Sequence, residues 1–108
     1  MRISITGRHM SVTPSLRNYV DKRISRLARI ARATSPVHVV LSVSKKTSHV
    51  EIMVPLKQHR VVTHVAADDM YAAIDQAKDK LGRQLNQLKE KRTSHHRAGG
   101  GLHPHLYA

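Results

Sequence analysis

Cysteine, phenylalanine and tryptophan are absent from this 108-residue chain, tyrosine occurs three times, and acidic residues number only seven. Without cysteine there is no disulfide, no thiolate metal site and no cysteine nucleophile. That composition fits a reducing compartment, and a cytoplasmic location is expected. No run of about 18 apolar residues occurs, so no helix is expected to span a membrane and no membrane partner is expected. The N-terminal stretch MRISITGRHM lacks the apolar core of a secretory signal. The scarcity of aromatics limits how much a sheet here can stack unpaired bases.

What the chain has in excess is positive charge. Nineteen Lys and Arg stand against seven Asp and Glu, a formal net charge of +12. Self-repulsion on this scale destabilises a compact state, and a polyanionic partner accounts for it best: nucleic acid first, an anionic membrane surface second. With so few aromatics, phosphate, 2′-hydroxyl and shape are the available means of recognition. These favour folded RNA over a free single strand.

The length suits one domain with a modest two-layer core. RISITG (2–7) alternates, with Ile3 and Ile5 on one face, and predicts a strand. Thr13 and Pro14 form a helix start, an N-cap followed by a proline at the first helical position. The helix is expected over 14–32, with Leu16, Val20, Ile24, Leu27 and Ala31 in one stripe and Tyr19 and Ile30 at its edge. Pro36 is expected to end it by restricting Ser35 to extended backbone. Three alternating runs follow at 37–44, 49–54 and 60–66, joined by turns short enough for antiparallel hairpins. The last periodic stretch, residues 69–92, carries Met70, Ala73, Ile74, Ala77, Leu81, Leu85 and Leu88 on one helical stripe behind Asp68 and Asp69. Gly82 inside it reads as a close-packing position.

The expected fold is therefore α+β, in the order β-α-β-β-β-α. Strand one lies parallel to its neighbour, and both helices cover one face of a four-stranded sheet. Ser4, His38, Ser42, Glu51 and His64 fall on the other, wet face. The domain is expected over 1–92, with 93–108, TSHHRAGGGLHPHLYA, a flexible His- and Gly-rich tail.

Along the first helix, Lys22, Arg26 and Arg29 form a ridge with Arg23 beside it; Arg17 and Arg32 are also basic. In the last helix Lys80, Arg83, Gln87 and Lys91 follow at spacings of three and four, with Lys89 and Arg92 extending the basic end. Macrodipole complementarity explains cations near a helix C-terminus but not cations along a whole helix. Two such helices side by side predict a basic groove, bordered by Lys45 and Lys46, that receives phosphates. Other motifs carry less. Asp68–Asp69 is a helix cap rather than an acid/base pair. The tail histidines His95, His96, His103 and His105 have no fixed surroundings with which to hold a metal. His38, His49 and His64 are wet-face residues. No enzyme, small-molecule substrate, cofactor or metal site is expected.

The segment DDMYAAIDQAKDKLGRQLNQLKEK resembles the most characteristic stretch of the ribosome hibernation promoting factor family, also called ribosome-associated inhibitors or sigma-54 modulation proteins. ISITGRHMSVTPSLRNYV resembles the family's first strand and helix start, and VHVVLSV its second strand, so the resemblance covers residues 1 to about 92. It implies a fold related in shape to the double-stranded-RNA-binding domain. It also implies a protein that occupies the mRNA and tRNA channel of the small ribosomal subunit and inhibits translation under stress or in stationary phase. Its partners would be the ribosome and small-subunit rRNA. The chain would be a short form, without a separate dimerisation domain, and monomeric off the ribosome. The family's basic helix positions fall on Arg23, Arg26, Lys80, Arg83 and Lys91. With the ridges read from the residues, the expected RNA-binding set is Lys22, Arg23, Arg26, Arg29, Lys80, Arg83, Lys89 and Lys91. Gln87 stands where a lysine is common. A general structured-RNA module and a protein–protein regulator of a sigma factor remain the alternatives.

Overall fold

Four alternating runs and two amphipathic ones fold in the order read from the sequence. The computed structural model describes residues 2–34 and 36–96, with side chains through Leu88. Its elements are β1 (Ile3–Arg8), α1 (Pro14–Ile30), β2 (Val37–Ser44), β3 (Thr47–Pro55), β4 (Arg60–Ala67) and α2 (Met70–His96). The strands lie in the order β1-β2-β3-β4. β1 is parallel to β2, with Ile3 opposite Val37. β2–β3 and β3–β4 are antiparallel.

Period-two alternation sends Val37, Val39 and Leu41 of β2, Val50, Ile52 and Val54 of β3, and Thr63 of β4 into the interior. Both helices close over them. α1 contributes Leu16, Val20, Ile24 and Ala28; α2 contributes Met70, Ala73, Ile74, Ala77 and Leu81. The opposite sheet face stays open, as expected: Ser4, His38 and His64 are exposed, Ser42 and Glu51 half-buried.

The end of α1 departs from the sequence expectation. The helix stops at Ile30, well before Pro36 can act. Arg32 adopts a left-handed conformation, φ 60°. The Arg32 N–H then donates to the Arg29 carbonyl at 3.1 Å and the Ala33 N–H to the Ala28 carbonyl at 3.2 Å. This is a Schellman cap with arginine in glycine's usual place. Ala31 is consequently the C-cap. The buried stripe ends on Ala28, Leu27 is only half-buried, and Ile30 is 61% exposed.

The starts of both helices follow the sequence. Thr13 Oγ1 accepts from the Leu16 N–H at 3.2 Å, and Asp69 Oδ2 accepts from the Ala72 N–H at 3.0 Å. α2 continues to His96, so residues 93–96 are helical where a tail was expected; residues 97–108 lie outside the described residues. Gly82 is not a close-packing position. A Cβ there would meet nothing within 4 Å. Gly7 is the glycine that does need its missing side chain, since a Cβ would stand 2.5 Å from the Met10 carbonyl oxygen.

Gly82→Ala should therefore stabilise the domain by up to about 1 kcal/mol, because it removes backbone entropy without creating a clash. Urea unfolding should show a raised midpoint with an unchanged slope. A lowered midpoint would mean that the position is packed after all.

Candidate nucleic-acid interface

Chain topology fixes how the two helices lie. β1 and β2 run in the same direction, so α1 must return antiparallel to them. β4 also runs in that direction, being two antiparallel steps from β2, and α2 returns antiparallel to it. The helices are therefore parallel to each other. Side chains confirm it: Ser15 of α1 meets Tyr71 of α2 at 2.8 Å, and one turn later Tyr19 meets Asp75. Both C-termini, and the basic residues near them, point to the same end of the molecule.

A polar node joins the helices. Tyr19 Oη donates to both carboxylate oxygens of Asp75 at 2.9 Å. Arg23 donates from its terminal guanidinium nitrogen to Tyr19 Oη at 3.1 Å, and its Nε lies 3.3 Å from Asp75 Oδ1. The guanidinium carbon lies 4.7 Å from the Tyr19 ring centroid, and Tyr19 meets Tyr71 edge-to-face at 4.9 Å. The hydrogen bond to Tyr19 is the chief reason why the Arg23 guanidinium holds its proton more tightly than an ordinary arginine. Arg23 thus commits part of its guanidinium to the node while its side chain stays 45% exposed.

The other expected residues divide. Lys22, Arg26 and Arg29 are exposed along α1, and Arg83 is exposed on α2. Among the described residues, none of these four forms an ion pair. Lys80 lies on the far flank of α2 and does not wall a groove with α1: its Nζ donates to the His64 carbonyl of β4 at 3.1 Å. Gln84, one turn on, donates to the Val62 carbonyl at 3.2 Å and accepts from the Thr63 hydroxyl. The α1-facing flank of α2 instead carries Tyr71 and Asp75. The cations therefore form a surface over the tops of both helices, with a neutralised node between them. Gln87 is exposed on α2; the side chains of Lys89 and Lys91 lie outside the described residues.

Topology also moves the border of this surface. Lys45 and Lys46 form the β2–β3 turn, at the end where both helices begin. At the other end, the Thr34 N–H donates to the Pro55 carbonyl at 2.9 Å, docking the loop after α1 on the β3–β4 turn. Arg32, Lys57 and Arg60 are exposed there. Sequence reasoning missed Lys57 and Arg60 because they belong to neither helix. Only the antiparallel pairing of β3 with β4 brings them to the basic end.

Exposed cations on a two-layer α+β scaffold suit a polyanionic partner. Comparison with known proteins makes this particular. Residues 3–93 match the family model described as "Sigma 54 modulation protein / S30EA ribosomal protein", and the chain belongs to that family. It is 41% identical over 91 residues to the ribosome hibernation promoting factor of Azotobacter vinelandii, covering 84% of this chain and 85% of that one. It is 34% identical over 95 residues to the ribosome hibernation promoting factor of Escherichia coli K12, covering 88% of this chain and 100% of the relative. Among solved structures, a ribosomal subunit interface protein from Coxiella burnetii superposes with a TM-score of 0.78 at 28% identity, covering 83% of this chain and 99% of that one. The N-terminal domain of Protein Y from Thermus thermophilus superposes at 0.73 with 36% identity, covering 82% and 99%.

The Tyr19–Arg23–Asp75 node should behave as a unit. Tyr19→Phe and Asp75→Asn should each cost about 1 kcal/mol or less, given partial exposure. The double variant should cost less than the sum, because both changes act on the same Tyr19–Asp75 contact: one removes the donor and the other the carboxylate charge that strengthens it. A double-mutant cycle in urea measures this; strict additivity would show two independent contacts.

Proposed function

We propose that this chain is a ribosome hibernation factor that acts by binding, not by catalysis. It places its helical face against small-subunit rRNA in the channel used by mRNA and tRNA. Translation is then inhibited by occlusion: a rigid domain occupying the channel denies it to the substrates. The observation that carries this reading is the set of exposed cations Lys22, Arg26, Arg29 and Arg83 on two parallel helices. It is supported by membership of a family whose relatives are named ribosome hibernation promoting factors. The proposed contacts include Lys89 and Lys91, whose side chains lie outside the described residues. Lys80 contributes from the β4 flank, and Arg23 acts by holding the helices together. The chain works as a monomer off the ribosome and in the cytoplasm. No helix among the described residues is long and apolar enough to cross a membrane.

Parallel helices suit a polyphosphate ligand in a specific way. Each α-helix ends in a partial negative charge that repels phosphate. The two ends are staggered, because the helices start level at Ser15 and Tyr71 while α2 has 27 residues against 17 in α1. Arg29, Arg32, Lys57 and Arg60 stand near the end of α1 and offset its partial negative charge.

Reversing Arg26 and Arg83 to Glu should abolish most co-sedimentation with small subunits at moderate salt while leaving the circular dichroism spectrum and the urea midpoint near wild type. Both side chains are exposed and outside the core. Wild-type co-sedimentation by the double variant would refute the helical surface as the binding face.

Ionic strength provides a separate check. Neutralising six or more phosphates should cost about 10³-fold in ribosome affinity between roughly 50 and 200 mM salt. A flat dependence would point to a protein partner, as a sigma-factor regulator would require.

A further inference from the structure

The helices cover one face of the sheet. The other face carries a feature that rRNA binding through the helices does not use. Arg8, His9, Ser42, His49, Glu51 and His64 line a shallow basin of about 340 Å³, the size range of small-ligand sites. It is built by register. Glu51 of β3 faces His64 of β4, while His49, one pleat further along, faces the small Ser42 on one side and the small Ala66 on the other. Small neighbours leave the His49 ring uncovered at its edges. The two imidazoles, diagonal across the strand pair, stack with centroids 5.6 Å apart and planes 26° apart.

This arrangement has the three components of a nucleotide site. Each ring of the stack keeps an outer π-face, and histidine serves as a stacking platform for unpaired bases alongside tyrosine and phenylalanine. Two stacking gaps of about 3.5 Å need about 7 Å, so a base cannot enter between the rings and must extend the stack on the outer face of one of them. Arg8 and His9 stand at the rim. Arg8 supplies a guanidinium suited to bidentate phosphate binding. Glu51 is the one carboxylate on the four strands, and as an acceptor-only group it favours a base edge that offers an N–H, such as the exocyclic amine of cytosine. The Arg8 guanidinium at the rim disfavours a basic peptide as occupant.

We propose that the open sheet face is a second RNA-binding surface, taking one unpaired ribonucleotide with its base on the His49–His64 platform and its phosphate at Arg8. The proposal rests on the ribosome-binding reading only for the source of that nucleotide. A domain filling an RNA-walled channel meets RNA on both of its faces. The helical face takes phosphates of folded RNA, and the sheet face takes an exposed base.

The test uses the full chain and a short unpaired oligoribonucleotide, hexacytidylate, followed by NMR. The imidazole resonances of His49 and His64 and the amide of Ser42 should shift on titration. Inorganic phosphate at equal ionic strength should not move them. His49→Ala/His64→Ala should weaken hexacytidylate binding about tenfold, within the range for loss of base–aromatic stacking. His49→Phe/His64→Phe should retain it, because the platform survives without the imidazole nitrogens. The Arg26→Glu/Arg83→Glu variant should show the same His49 and His64 shifts as wild type. That variant separates the two readings, since it tests the helical face by co-sedimentation and leaves the basin intact. Absence of imidazole shifts on titration would overturn the proposal. So would loss of binding in the Phe pair, which would show a charge contact without stacking. Shifts produced by a ribosomal protein but not by the oligonucleotide would overturn it in favour of a protein contact.

Discussion

One apolar sheet face has to be covered by two helices, and this constraint determines where every charge can go. Because β1, β2 and β4 share a direction, each helix that returns over the sheet must run the same way. Burial then fixes rotation: Val20 and Ile24 of α1, and Ile74 and Leu81 of α2, face inward, turning Lys22, Arg26, Arg29 and Arg83 to solvent. The basic surface is thus the remainder left by core formation. It is a rigid one, since rotating either helix would expose buried apolar area at roughly 25 cal/mol per Å².

The seam between the helices adds a second layer of order. Two tyrosines account for most of the chain's aromatic content, and both lie there. Their hydroxyls reach polar partners on the opposite helix. Asp75 within a cationic field would be a liability to phosphate binding. Contact with Arg23 and Tyr19 neutralises it while fixing the lateral spacing of the helices. Positioning through a hydrogen-bonded cation–π contact is better suited to arginine than lysine, because the planar guanidinium can stack and donate at once.

Much of this was legible in the sequence, because its signals are periodic. Strand alternation placed the core residues of β2 and β3, and Thr13–Pro14 and Asp69 marked both helix starts. The misreadings have local causes. Pro36 is the visible stop signal, whereas the left-handed backbone of Arg32 ends α1 without any glycine or asparagine to announce it. Lys80 fitted a helical ridge by spacing. A helical wheel does not say which flank faces α1 and which faces β4, and that depends on strand order. Arg23 keeps its place among the exposed basic residues, and only its added bonds to Tyr19 and Asp75 depend on the packing of α1 against α2. Alternation places the three strand histidines on the wet face, but the stacking of His49 on His64 follows from a cross-strand diagonal that only register defines.

β4 is an edge strand, and unpaired edges are templates for association between chains. Here the outward carbonyls of Val62 and His64 are taken by Gln84 and Lys80 of the chain's own helix. Lys80 is therefore claimed twice. Its ammonium carries three N–H donors: one holds the His64 carbonyl and two stay free for an external acceptor, so the edge stays covered while the lysine makes a second contact. Protection of the edge against another chain and contact with an external acceptor thus draw on one ammonium without excluding each other.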